Sequence, residues 1–156
     1  MKIKKLQVRP AIEALKGVKM QRIEDKALRR AVIAAYVRLL EIQGGIDREL
    51  DNLETATLGA YAAERKELES LRDDIQAAGS KEKAKAIADD IIARFGELLA
   101  AERAHKREAL ALLSVDTEGP DPIDRDAFID AMAAQEWNFA LLEAVYPLLA
   151  AKPAKE

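Results

Sequence analysis

Residues 25–78, DKALRRAVIAAYVRLLEIQGGIDRELDNLETATLGAYAAERKELESLRDDIQAA, decide the fold of this chain. Apolar or small residues recur in this stretch about every 3.6 residues, with one missed turn at Glu64; this is the α-helical period rather than the 3.5-residue period of a long supercoil. The stripe occupies positions 28, 32, 36, 39, 42, 46, 50, 53, 57, 61, 68, 71 and 75. The spacing predicts a long helix with one apolar face.

A second helix is predicted directly after the first. Gly79 ends the first stripe, and Ser80 is a residue type that commonly caps the start of a helix. A second stripe then follows at positions 84, 87, 91, 95, 98, 105, 109 and 112. Because so short a connection forces two helices to pack antiparallel, we predict a mainly α fold built on a long helical hairpin, at about 25–78 and 81–113.

The pair Gly44-Gly45 interrupts the first helical pattern. Each glycine in a helix interior costs about 1 kcal/mol relative to alanine, so the pair disfavours a continuous helix by roughly 2 kcal/mol. Residues 46–78 and 81–113 are also of equal length, which would suit a hairpin that begins only after the glycines. Two alternatives follow: one helix from residue 25, or a separate helix over 25–43.

The two ends of the chain carry opposite charge. Residues 1–30 contain ten Lys and Arg against three acidic residues, and residues 116–143 contain eight acidic residues against one Arg. We expect these segments to meet in a small head that includes short β-strands, with residues 2–8 and 18–23 as candidates. The predicted organisation is one domain over 1–150, in which 1–24 and 114–150 form the head and 25–113 the hairpin, followed by a disordered tail at 151–156.

The composition excludes several classes of protein. The hydrophobic fraction of 49% and the charged fraction of 34% are typical of a globular chain rather than a disordered one. Without cysteine, the chain has no disulfides, no thiolate metal ligands and no cysteine nucleophile. No apolar run reaches the length of a signal peptide or a membrane helix, so we expect a cytoplasmic protein without a membrane partner.

No arrangement of reactive side chains indicates an enzyme. His105, the only histidine, lies in a Glu-x-x-His spacing with Glu102, but a di-iron site needs two such motifs. We therefore expect a hydrogen-bonded histidine on the helix seam. The acidic stretch 116–130 does not match a calcium-binding loop, because Gly119 is misplaced. The sequence predicts no catalytic residues, no cofactor and no metal.

The function that we expect is protein interaction or assembly, with a protein partner or with further copies of the chain. The candidate surface consists of six basic residues and two aromatic residues, namely Lys4, Lys5, Arg9, Lys16, Lys19, Arg22, Trp137 and Phe139. The alternative is a regulator that binds nucleic acid through the basic first 30 residues. That alternative is the weaker one, because this segment contains no aromatic residue for base stacking and an acidic segment is available within the chain.

The order of these features resembles that of a group of small, uncharacterised phage and prophage proteins. The corresponding stretches are Ile12–Met20, the hairpin at 25–113, Val115–Glu118 and Leu142–Leu149. The resemblance covers most of the chain in layout, without a specific motif. It implies a non-enzymatic accessory or assembly role in a phage-derived set of genes.

Overall fold

The computed structural model of the protein describes residues 1–151, and its fold is mainly helical, as the sequence predicts. The chain forms two compact units. The first, which we call the terminal unit, comprises Met1–Arg48 and the described part of Leu112–Glu156. The second, the central unit, comprises Glu49–Ala111. The predicted tail lies outside the described residues, apart from Ala151.

The terminal unit contains four short strands. Strand β1 (Lys2–Lys4) pairs antiparallel with β2 (Asp116–Glu118), and β3 (Ile123–Asp124) pairs parallel with β4 (Leu149–Ala150). In the first pair, Lys2 lies opposite Glu118 and Lys4 lies opposite Asp116. The basic and acidic ends of the chain therefore meet, as the charge asymmetry predicts, because opposite charges across a strand pair stabilise it.

The helices of the terminal unit are α1 (Val8–Lys16), the first part of α2 (Lys26–Leu58), α6 (Arg125–Ala133) and α7 (Phe139–Val145). Residues 20–22 form a single 3-10 turn, so the prediction of an extended piece at 18–23 is wrong. Val18 and Ile23, at the two ends of residues 18–23, are both buried. A turn can place two apolar residues in the core as well as a strand can, so their apolar character did not distinguish the two structures. The core of the unit includes Val8, Ile12, Leu15, Leu28, Val32, Leu39, Ile123, Phe128, Val145 and Leu148.

Helix α2 runs without interruption through Gly44 and Gly45, which decides between the two alternatives in favour of one helix. Asp25 caps its start, since the carboxylate accepts bonds from the backbone N–H groups of Ala27 and Leu28. Ile42 and Ile46 are buried on either side of the glycines. Burying an isoleucine contributes about 1.5–3 kcal/mol, which exceeds the cost of each glycine.

The central unit contains the end of α2, then α3 (Ala62–Ala77), α4 (Lys81–Arg94) and most of α5 (Gly96–Leu113). A 3-10 turn at Gly59–Tyr61 separates α2 from α3. Helices α3 and α4 pack against each other on either side of the turn of the predicted hairpin. Ser80 caps α4, because its hydroxyl accepts a hydrogen bond from the backbone N–H of Lys83 at 3.2 Å. The core of this unit is a cluster of Leu58, Leu68, Ile91, Phe95 and Leu98.

The second predicted helix divides at Phe95. Its backbone leaves the helical region, although its N–H still bonds to the carbonyl of Ile91 at 2.9 Å and its carbonyl accepts from Leu99 at 2.8 Å. Gly96 follows, and glycine is a weak helix former. The ring of Phe95 is nevertheless buried in the core cluster. The residues of the second stripe therefore still face the core on both sides of the point where the helix divides.

Candidate interaction surfaces

Three of the basic residues proposed as an interaction surface lie beside acidic residues of the terminal unit. Lys4 lies opposite Asp116 in the strand pair. The Arg9 guanidinium lies 3.3 Å from Asp47, and the Lys16 ammonium lies 3.1 Å from Glu13. These partners reduce the positive potential that the sequence alone indicates for residues 1–30.

The other three basic residues lie on the segments that connect β1 to α1 and α1 to α2. The backbone N–H of Lys5 bonds to the carbonyl of Val115, next to the strand pair. The Lys19 backbone exchanges two hydrogen bonds with the buried side-chain amide of Gln135, at 2.8 and 3.2 Å. Arg22 is exposed at the end of its 3-10 turn. The six residues are thus distributed over β1, α1 and two connecting segments.

The structure does bring the two aromatic residues together. Trp137 packs edge-on against Phe128, with ring centroids 5.5 Å apart, and Phe139 begins α7 with 84% of its surface exposed. Glu136 turns the chain between α6 and α7 in the left-handed region, with φ of 58°. A cleft of about 200 Å³ lies here, lined by Ile129, Met132, Ala133, Trp137, Asn138, Phe139 and Leu142.

A second apolar surface, which the sequence analysis missed, lies on α2. Ile33, Val37 and Leu40 are 52%, 49% and 45% exposed, and their spacing places them in one row that continues to Gly44. We call these four residues the outer stripe. At about 100° per residue, the outer stripe lies about 150° around the helix from the buried row that contains Leu39.

The two rows give α2 apolar residues on nearly opposite sides. A helix on the surface of a protein typically has one apolar face and one polar face, whereas a helix that is apolar on two sides is usually covered on both. The signal was present in the sequence as an i, i+4, i+7 spacing. The first stripe alone is sufficient to predict α2, so the helix assignment does not depend on the second row.

His105 and Glu102 of the central unit are both engaged in side-chain contacts. The hydroxyl of Thr57 donates to the carbonyl of Leu53 at 2.7 Å, so its oxygen accepts from Nδ1 of His105 at 2.9 Å. Glu102 accepts from the guanidinium of Arg72 at 3.0 Å. The structure therefore confirms the prediction of a hydrogen-bonded histidine on the helix seam.

The shifted pKa values belong to exposed ion pairs. The pKa of Arg94 is raised, first by its hydrogen bond with Glu67 and then by its bond with Asp90. The pKa of Glu118 is lowered, first by the hydrogen bond from the amino group of Met1 at 2.8 Å. Both shifts follow from surface pairing, which is the ordinary cause of such changes.

Within residues 1–151, no three His, Asp or Glu side chains lie together in a way that could hold a metal ion. None of the helices formed by these residues combines the length and apolar character needed to cross a membrane. Comparison with models of known protein families, with curated proteins and with solved structures found no match.

Proposed function

We propose that the protein is a non-catalytic interaction or assembly module of the cytoplasm, and that the outer stripe is its contact surface. The single observation that carries this proposal is the second apolar row of α2, formed by Ile33, Val37 and Leu40 on the side opposite the core. Exposed apolar residues scattered singly are normal, but an ordered row of them favours a contact with another protein. An accessory role in a phage-derived gene set, which the resemblance in layout implies, is the setting that we propose.

The expected association is weak. Fully burying an aliphatic side chain contributes about 1.5–3 kcal/mol, so covering the exposed half of each stripe residue contributes about 1 kcal/mol. If each of two copies contributes three such residues, the gross gain is about 6 kcal/mol. A dissociation constant of 1 mM corresponds to about 4 kcal/mol, and the loss of translational and rotational freedom on association reduces the gross gain, so we expect the assembly to form from hundreds of micromolar to about 1 mM.

The test is the solution mass of the full chain by light scattering, from about 10 μM to 1 mM, at low salt and at about 0.5 M salt. We expect the mass to rise above 17.2 kDa with concentration and to remain raised at high salt, because apolar contacts are not screened. Val37→Glu should return the protein to a monomer. Ile92→Glu is the matched control, since it adds the same charge at an exposed aliphatic residue of α4. A monomer under all conditions would overturn the assembly role.

Regulation through nucleic-acid binding has less support. Arg9 and Lys16 have acidic partners at 3.3 and 3.1 Å, and Lys4 lies opposite an aspartate. Phosphate binding would have to compete with these contacts. The aromatic side chains at Trp137 and Phe139 belong to the acidic C-terminal segment, where phosphate is repelled.

A further inference from the structure

We infer that the occupant of the outer stripe is a second copy of this chain, whose α2 helix packs antiparallel to the first about a twofold axis. This inference rests on the proposed function and adds the identity of the partner, the orientation and the register. In this register Val37 faces Leu40 of the second copy, and Ile33 faces Gly44.

The spacing of the outer stripe suits a helix pair. Ile33, Val37, Leu40 and Gly44 follow one another at intervals of four, three and four residues, which is the alternation of the two seam positions in a heptad. A twofold contact is self-complementary, so each pair of facing residues occurs twice. Only side chains of the terminal unit are needed for the contact.

Size complementarity favours this register. Gly44 has no side chain, and a Cβ placed on it would meet only the end of the Arg48 side chain, at 4.0 Å. The space above Gly44 can therefore receive Ile33 of the second copy, which is one of the two bulkiest residues of the stripe. Because of the twofold axis, Ile33 of the first copy likewise lies over Gly44 of the second copy.

Charge complementarity selects the antiparallel orientation. The next seam positions beyond the stripe are Arg30 at one end and Asp47 at the other. In the antiparallel register Arg30 faces Asp47 of the second copy at both ends. In a parallel pair Arg30 would face Arg30 and Asp47 would face Asp47, so that both ends would repel.

The two charged residues are available for this contact. Arg30 is exposed and forms no ion pair within the described part of the chain. Asp47 accepts bonds from Arg9 and Gln43, both at Oδ1. Its Oδ2 atom can accept from Arg30 of the second copy, since the side chain is 50% exposed.

The first test is an exchange of charges, read as the dimer dissociation constant. Arg30→Glu should weaken the dimer at least about fivefold, and Asp47→Lys should do the same, because each creates like charges at both ends. The double variant should return to within about threefold of the unchanged protein. Arg107→Glu, an exposed arginine of α5, is the control for the change in net charge.

The second test measures the orientation directly. The chain contains no cysteine, so a spin label can be attached to one introduced residue. In the antiparallel register, labels at Ala27→Cys lie about 35 Å apart along the helices, because 23 positions separate each from its symmetry mate at 1.5 Å per residue. Labels at Glu41→Cys lie about 8 Å apart along the same direction, since five positions separate them.

Each outcome has one meaning. A long distance at Ala27 with a short one at Glu41 supports the antiparallel dimer. Short distances at both sites would show a parallel dimer, which overturns the inference and leaves the proposed function in place. Long distances at both sites would place the contact elsewhere and overturn the inference together with the role of the outer stripe. A monomer that resists all concentrations would overturn both.

Discussion

Ile91 and Ile92 are neighbours of the same residue type on α4, and their environments differ sharply. Ile91 is 6% exposed and belongs to the core cluster of the central unit, whereas Ile92 is 66% exposed. Replacing each in turn by alanine therefore compares burial while the size of the change and the helix stay the same. We expect Ile91→Ala to destabilise the protein strongly and Ile92→Ala to leave its stability nearly unchanged.

The magnitude follows from the three carbon atoms that the substitution removes. At about 0.8 kcal/mol for each buried carbon, Ile91→Ala loses about 2.4 kcal/mol of burial. The cavity left in the core cluster adds to this loss, so the total should be about 3 kcal/mol, within the usual range for such changes. Ile92→Ala should stay within about 0.5 kcal/mol, because alanine is the better helix former and little surface is buried.

The assay is urea unfolding followed by far-ultraviolet circular dichroism and by tryptophan fluorescence. Trp137 is the only tryptophan and lies in the terminal unit, so its fluorescence shows whether that unit unfolds in the same transition. If the slope of the free energy of unfolding against urea concentration is the same for both variants, they expose similar amounts of surface on unfolding. Equal losses at the two positions would refute the assignment of the inward face of α4.

Three further predictions concern single positions. Gly45→Ala should raise the free energy of unfolding by up to about 1 kcal/mol in urea titrations, because the added Cβ meets only Arg48, at 3.9 Å; a loss of stability would show that the glycine is needed for packing. Glu118 should titrate below the ordinary glutamate value of 4.5 in an NMR pH titration, since its pKa is lowered by the amino group of Met1. The pair therefore stabilises the fold above that value and is lost as the pH falls through the lowered pKa, and Glu118→Gln should remove this acid-dependent contribution. His105→Gln should keep the melting temperature within a few degrees, because an amide can still donate to Thr57, and a titration that showed a bound metal lost in this variant would contradict the role assigned to the histidine.

The inward faces of the helices could be predicted from the sequence, because burial and helical period act on the same residues. Leu28, Val32, Leu39 and Ile46 of the first stripe are buried, as is Leu98 of the second. The helical period alone determines which of these positions share one face, so they can be predicted without knowing which other elements pack against that face. The fold class followed from them.

The path of α2 through Gly44 and Gly45 could not be predicted in the same way. Local propensity disfavours the helix there by roughly 2 kcal/mol, and the burial of Ile42 and Ile46 reverses the balance. That burial is a property of the tertiary structure, which helix propensity does not describe. Propensity alone therefore could not identify the continuous helix.

The candidate surface was predicted in part. The sequence suggested Trp137 and Phe139, which the structure places around one cleft, and it suggested Arg9 without indicating that Asp47 would be its partner. The outer stripe was missed because one apolar row was enough to assign α2. Whether the other row is covered depends on the tertiary structure, and the exposure of Val37 answers this.

The pairing of β1 with β2 has a consequence for synthesis on the ribosome. Lys2–Lys4 leave the ribosome early, but their partners Asp116–Glu118 follow more than one hundred residues later, a delay on the order of ten seconds at usual rates of translation. The central unit needs only residues 49–111, so it can complete its core while the terminal unit still lacks three strands and two helices. During that interval the outer stripe and the unpaired β1 are both exposed on a growing chain. We therefore expect the nascent chain to be most prone to aggregation during the last third of its synthesis.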